Sequence, residues 1–285
     1  MQKANPLKTF VGSKLVWPFA ALILILLFNL FFTPGFFSLE IKDGHLFGSL
    51  IDILNRGAAL MVLSLGMTLA VATGGVDLSV GPMIAITAAV AATLIGPQTD
   101  ITATPLPLVI LAALAIATLG GLWNGMLVSR GGIQPIVATL ILMVAGRGIA
   151  QLITEGQILT IYYSPYYFIG AGYLFGLPFP LFIVIGMLLF FWILTRKTAL
   201  GLFIESLGIN ASASYHSGVN AKNIKLLLYV LSGLCAGVAG LMISSNIKSA
   251  DANNAGQWAE LDAILAVNIG GTVSGGGRFY LFGSL

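Results

Sequence analysis

Long apolar runs separated by short polar punctuation set the pattern of this chain. Residues 15–32 form an apolar run that would span about 27 Å as a helix, and Thr33-Pro34-Gly35 ends it. No small-residue cleavage site follows. The run therefore predicts an uncleaved first span preceded by a cytoplasmic tail over residues 1–14, not a removed signal peptide. Further spans are predicted over residues 54–73, 80–95, 106–128, 133–153 and 177–194. Six crossings return the chain to the cytoplasmic side at Arg196. Basic residues agree with that count: Lys3, Lys8, Lys14, Arg130, Arg196, Lys197, Lys222 and Lys225 fall inside, and Lys42, Arg56 and Lys248 fall outside or at the outer edge.

Residues 196–225 are the one long interval where the chain turns polar and basic. Asn210 suits a helix N-cap, Ala211 to Ser217 make about two turns, and Gly218 suits the left-handed residue that stops a helix. So short a helix has no wide apolar face of its own, and it is expected to dock onto a partner. Residues 224–247 give a seventh span, and the polar stretch ADANNAGQWAE (250–260) is expected outside. The apolar run over 261–271 covers only about 16 Å as a helix, which predicts a half-helix broken by GGTVSGGG before Arg278. The chain then stops at Leu285 while starting another element, so a truncated set of C-terminal spans is expected. One internal echo pairs LAVATGG at 69–75 with LAVNIGG at 265–271, five of seven positions shared. Such repeats are common in transporters.

Composition turns the pattern into a class. Of 285 residues 58% are hydrophobic and 8% charged, and the mean hydropathy is +0.98, far from soluble averages. The expected fold is an all-α polytopic membrane protein with about eight transmembrane or half-membrane helices, organised as a single transmembrane domain over residues 15–285. The abundant glycines, as in Gly121-x-x-x-Gly125 and Gly233-x-x-x-Gly237, read as close helix packing. The net charge of +3 comes from basic residues spread along the membrane-flanking segments, so no nucleic-acid role is expected. Cys235 is the only cysteine and lies in an apolar run, a small packing residue with no intrachain disulfide. His45 and His216 stand far apart without neighbouring ligands, so no metal site is expected.

Several polar residues interrupt the spans. The turn TGGVDLSVGP joins two of them with no room for a soluble loop. Its members Thr73, Gly74, Gly75, Asp77 and Ser79 are candidates for a translocation pathway. Asp77 reads either as a functional ionisable group at membrane level or, like Ser79, as a cap for the helix starting near Pro82. Arg147 is the only basic residue deep in a span, with Gln151 one turn beyond on the same face. The pair reads either as part of an outer vestibule that hydrogen-bonds sugar hydroxyls or as a snorkelling arginine paired with Glu155 or backbone carbonyls. Asn124, Gln134, Thr139 and Asn268 are further polar candidates. No nucleophile, base and orienter set is present and no phosphate-binding loop, so an enzyme or self-powered pump is not expected. An ion- or proton-coupled secondary carrier remains an alternative class.

TGGVDLSVG, NGMLVSRGGIQPIVATL, RGIAQLITEG and TALGLFIESLGINASASYHSGVN together resemble the permease subunits of ribose-type ABC sugar importers, in the branched-chain amino acid/ribose permease superfamily. The likeness runs from about Asp52 onward. LMVAGRGIAQLIT, RKTALGLFIE and ADANNAGQWAELDAILAV are most similar to the galactofuranose importer permeases within it. The resemblance implies about ten spans, two or so of them beyond Leu285. It implies import of a neutral monosaccharide by an inner-membrane protein. It makes the 196–225 segment the coupling element that sits in a cleft of a cytoplasmic ATP-binding subunit, with Gly201, Glu205, Gly208, Asn210, Ala213, Ser214 and Gly218 as its residues. Ser214 stands where the family commonly has alanine, and Tyr215 and His216 are bulkier than its pattern. The implied partners are that ATPase, a periplasmic sugar-binding protein and a second permease copy or paralogue. The chain itself is expected to hold no cofactor, ATP being bound by the partner.

Overall fold

The computed structural model describes residues 16–42 and 44–285. The expected tail over 1–14, with Lys3, Lys8 and Lys14, lies outside the described residues. The long helices are α1 (Val16–Phe32), α2 (Ser49–Ala72), α3 (Val80–Ile95), α4 (Leu106–Ser129) and α5 (Pro135–Ile153). After a short α6 (Ser164–Ala171) come α7 (Phe179–Arg196), α8 (Leu200–Ile209), α9 (Ala211–His216), α10 (Ala221–Ile247) and α11 (Ala259–Ile269). Five of these, α2, α4, α5, α7 and α10, are long and apolar enough to cross a membrane. The protein is an all-α polytopic membrane protein.

The predicted spans recur with shifted ends. α3 matches its expected range, whereas α2 begins five residues before Leu54 and α7 begins at Phe179, because Leu177–Pro178 is a strand. α6 and α8 were not expected as separate helices. Three two-stranded ribbons complete the chain: Glu40–Lys42 with His45–Phe47, Leu159–Thr160 with Ser249–Ala250, and Tyr173–Leu174 with Leu177–Pro178.

α10 is the centre of the bundle, and its small residues explain why. A Cβ on Gly233 would lie 2.4 Å from the Ala117 carbonyl oxygen, and one on Gly121 would lie 2.2 Å from the Tyr229 carbonyl oxygen. The two small-residue motifs of the sequence are therefore halves of one interface between α4 and α10, where the backbones meet directly. On another face Cys235, fully buried, packs on Gly66 of α2, where an added Cβ would lie 2.9 Å from the cysteine Cβ. On a third, Gly240 packs against the Ile84 carbonyl of α3.

Loops gather at two ends. At one, the Asp100 N–H donates to the Tyr162 carbonyl at 3.0 Å, Ile161 N–H to the Lys248 carbonyl at 2.9 Å and Leu46 N–H to the Gly176 carbonyl at 2.8 Å. At the other, Gly277 N–H donates to the Ala72 carbonyl at 2.8 Å, and Gly75 lies beside Pro135. The first is the Arg147 end and the second the Gly208 end. From α2 to α5, and then in α7 and α10, successive helices run alternately between them, whereas the 11-residue α11 starts part-way across, against the first turn of α3, and ends at the Gly208 end. The last residues fold back along α2: the Ser284 hydroxyl accepts from Thr68 at 2.7 Å and the Ser64 hydroxyl donates to the Ser284 carbonyl at 2.9 Å.

Candidate functional site: a polar break between helices and a glycine junction beneath it

The break between α2 and α3 carries the expected polar residues. Gly74 takes the left-handed φ of +75° that closes α2, with Gly74 N–H donating to the Val71 carbonyl at 2.9 Å and Gly75 N–H to the Ala70 carbonyl at 3.1 Å. α11 ends with the same pair of closures, Gly271 N–H to Asn268 and Thr272 N–H to Val267. The internal echo thus marks two helix ends of one kind, displaced by one residue.

Asp77 is 1% exposed. Its Oδ1 accepts from the Ser79 N–H at 3.1 Å and the Ser79 hydroxyl at 2.7 Å, and its Oδ2 accepts from the Ser232 hydroxyl of α10 at 2.8 Å. Asn124 of α4 donates to the Ser79 hydroxyl at 2.7 Å. Ser79 occupies the N-cap position with helical backbone angles and no side-chain cap bond, so the expectation that it caps α3 is corrected. Asp77 does accept the Ser79 N–H at the start of α3, as the cap alternative requires, while its other oxygen reaches across to α10. A carboxylate bound by three donors is the form in which such a charge can be buried. The Asn124 Oδ1 and the Tyr229 hydroxyl at the rim of this cluster have no partner, and a Cβ on Gly75 would lie 2.6 Å from that hydroxyl.

Beneath the break, three segments meet through glycine. A Cβ on Gly208 of α8 would lie 2.0 Å from the Ala72 carbonyl oxygen and 2.2 Å from the Gly277 nitrogen, and one on Gly276 would lie 2.9 Å from the Gly208 carbonyl oxygen and 3.0 Å from the Gly74 nitrogen. The end of α2, the end of α8 and the turn after α11 therefore touch backbone to backbone. Gly201 serves the corner before α8, against the Thr195 carbonyl. Beyond α8 the Asn210 side chain accepts from Ala213 N–H at 2.9 Å, the expected cap, and Gly218 has the expected left-handed φ of +84°. Ser214 is 6% exposed, its hydroxyl donating to the Asn210 carbonyl at 2.9 Å. Ala213, His216 and Gly218 are exposed and Glu205 is half-buried. Tyr215 is 69% exposed.

The other candidates lie elsewhere. Asn268 is exposed on α11 and accepts from the Ser274 hydroxyl at 2.7 Å, and Thr73 bonds only its own helix end. Arg147 donates to the carbonyls of Ala255 at 2.6 Å and Ala252 at 3.2 Å, the backbone-carbonyl alternative of the sequence reading, and Gln151 donates to Asn253 at 2.5 Å. The cleft of about 510 Å³ at this end is lined by Thr93, Glu155, Gln157, Thr160 and Tyr162 among others, and by neither Arg147 nor Gln151. The pathway candidates thus occupy no single site: they divide among a buried cluster, the glycine junction, an exposed edge and the Arg147 end. Glu260 is buried as well, and its only sequence signal is an acid at the start of a short apolar run.

Residues 49–285 match the family described as branched-chain amino acid transport system / permease component. The chain belongs to this family. Among curated relatives it is 51% identical to the galactofuranose transporter permease protein YtfT of Escherichia coli K12, over 99% of this chain and 82% of that one. It is 38% identical to the fructose import permease protein FruF of Bifidobacterium longum, over 98% and 79%, and 34% identical to the ribose import permease protein RbsC of Escherichia coli K12, over 89% and 76%. No solved structure matches it. As a permease component of this family, the chain is a multi-pass membrane protein, and its helix breaks and junctions are parts of a transport machine.

Proposed function

We propose that this permease carries a neutral monosaccharide inward, galactofuranose being the first choice, as the membrane subunit of a bacterial ABC importer. The sugar follows from the names of the relatives and from the 51% identity to the galactofuranose permease. Residues 15–285 act as one transmembrane domain in the inner membrane, with the Gly208 end and the N-terminus cytoplasmic. The chain holds no ATPase site and no cofactor of its own. A cytoplasmic ATP-binding subunit, a periplasmic sugar-binding protein and a second permease copy or paralogue complete the importer.

The observation that carries the mechanism is the glycine junction. α9 displays Ala213, Tyr215 and His216 outward, and the residue that departs from the family pattern, Ser214, faces inward. What an ATPase cleft must accommodate is thus Tyr215 and His216. Closure of the ATPases displaces α9 and α8, and Gly208 passes the displacement to Ala72 and Gly277 without a flexible side chain between them. Close-packed backbone transmits shifts instead of absorbing them. The α2–α3 break and the turn after α11 move together, and the Asp77, Ser79, Asn124 and Ser232 cluster either travels with them or opens.

Cysteine placed at the exposed Ala213 is expected to crosslink to the ATP-binding subunit in cells that transport sugar. No such crosslink in transporting cells overturns the coupling role, and ion-driven uptake by the purified chain alone would instead establish a secondary carrier.

A further inference from the structure

The segment from Asp251 to Trp258, expected outside, is a run of turns without helix or strand that instead reaches deep between the helices. Gly256 packs against Gly81, where an added Cβ would lie 2.6 Å from the Gly81 carbonyl oxygen, and against Ile84. Gly81 stands at the first turn of α3, which continues about 21 Å further to Ile95 before the chain reaches the Arg147 end. Irregular backbone at such depth survives in a membrane only where protein covers it or where it lines a water-filled space. One side of this segment is covered: Arg147 takes the carbonyls of Ala252 and Ala255, and Gly81 closes on Gly256. The other side is open and polar. Asn253, Asn254 and Gln257 are exposed, and Trp258 is 60% exposed at a left-handed φ of +65°. An amide left facing lipid without a partner is costly, so lipid is excluded from this side.

A second observation points into the same place. Glu260, in the first turn of α11, is 3% exposed, and its Oε2 has no hydrogen-bond partner. That oxygen presses on the N-terminal turn of α3, 2.3 Å from where a Gly81 Cβ would be. The N-termini of two broken helices, α3 and α11, meet across it, and such half-helix ends are where transporters place ligand sites.

We propose that the Asp251–Trp258 turn is the sugar-contacting wall of the path, with Glu260 as the acceptor uncovered when Gly81 and Gly256 separate. This deepens the sugar-importer reading and rests on it. The occupant is a neutral polyhydroxylated ring. The Gln257 amide both donates and accepts, as hydroxyl pairs require. The Trp258 ring receives the C–H face of the sugar, and the Glu260 carboxylate accepts its hydroxyls.

The sole native cysteine, Cys235, is buried, so Gln257→Cys carries one reactive thiol. In cells holding the whole importer, a membrane-impermeant maleimide is expected to label it at least tenfold faster than Leu24→Cys on the exposed apolar face of α1. In the same importer Trp258→Ala is expected to raise the KM for radiolabelled D-galactose, D-fructose or D-ribose at least tenfold, with Trp258→Phe restoring most of the loss. Labelling at 257 as slow as at 24, or an unchanged KM in Trp258→Ala, overturns the proposal alone. Wild-type uptake of none of the three sugars overturns the reading beneath it as well. Should Trp258→Ala fail to fold, the labelling comparison decides.

Discussion

The two ends of the bundle are held together by different means. At the Gly208 end, Gly74, Gly208, Gly276 and Gly277 bring three stretches of backbone into direct contact, and the Asp77 carboxylate just above them is bound by three donors. At the Arg147 end, side chains make the ties: Arg147 donates to two carbonyls, Asp100 accepts from the Ser164 hydroxyl, and Gln151 donates to the Asn253 side chain. Backbone packed on backbone leaves no rotamer to absorb a shift, whereas a side-chain tie can be released and remade without moving a helix. The contrast fits an end that receives a mechanical push and an end that opens and closes.

That contrast breaks most directly at Gly208. Gly208→Val must drive atoms into the Ala72 carbonyl and the Gly277 nitrogen, both backbone. The cost is expected to exceed the about 1–3 kcal/mol typical of overpacking, read as loss of monodisperse protein in detergent. A well-folded Gly208→Val that still transports would remove the rigid junction. Asp77→Ala comes next. It strands the Ser79 N–H and the hydroxyls of Ser79 and Ser232 inside the protein, with an expected cost of about 3 kcal/mol; Asp77→Asn, which keeps a carbonyl acceptor, should lose roughly half as much. Equal Tm values for Asp77→Ala and wild type would show that the cluster is not held as described.

Parts of this arrangement were legible in the sequence. The ends of α3 follow from the Gly-rich punctuation before it and Gly96-Pro97 after it, and Asn210 and Gly218 announce their cap and stop through local chemistry alone. α2 starts early because Ser49, Asp52 and Arg56 sit on its loosely packed first turns, where hydropathy does not register a helix. α6 and α8 are too short to produce a run, and α8 lies in an interval that reads as polar. The two small-residue motifs were visible as packing surfaces, but that they face each other is a property of two helices about a hundred residues apart, beyond any local signal. The same holds for the glycine junction, whose three strands of chain come from residues 72–74, 208 and 276–277, and for Glu260, whose burial depends on Gly81.

At the Arg147 end the expected effects shrink. Arg147→Ala leaves the carbonyls of Ala252 and Ala255 without their donor, a loss of about 1–3 kcal/mol, and Arg147→Lys should recover only part because it lacks the planar fork. A Tm loss as large as that of Asp77→Ala would erase the difference between the two ends. The smallest effect belongs to Asp100, an exposed residue that ties its loop to the start of α6. The Ser164 hydroxyl, at 2.6 Å, and then the Ser164 N–H hold the Asp100 carboxyl below its ordinary value of 3.8. A depressed folded-state value means that the stabilisation is complete above the unfolded value and is lost as pH falls through the folded one. Asp100→Asn should therefore melt slightly below wild type at pH 7, and the gap should close as the pH is taken below about 4. A gap that persists at acid pH would show that the tie is made by geometry alone and not by the charge, and the release of this end would then have to come from the Arg147 contacts.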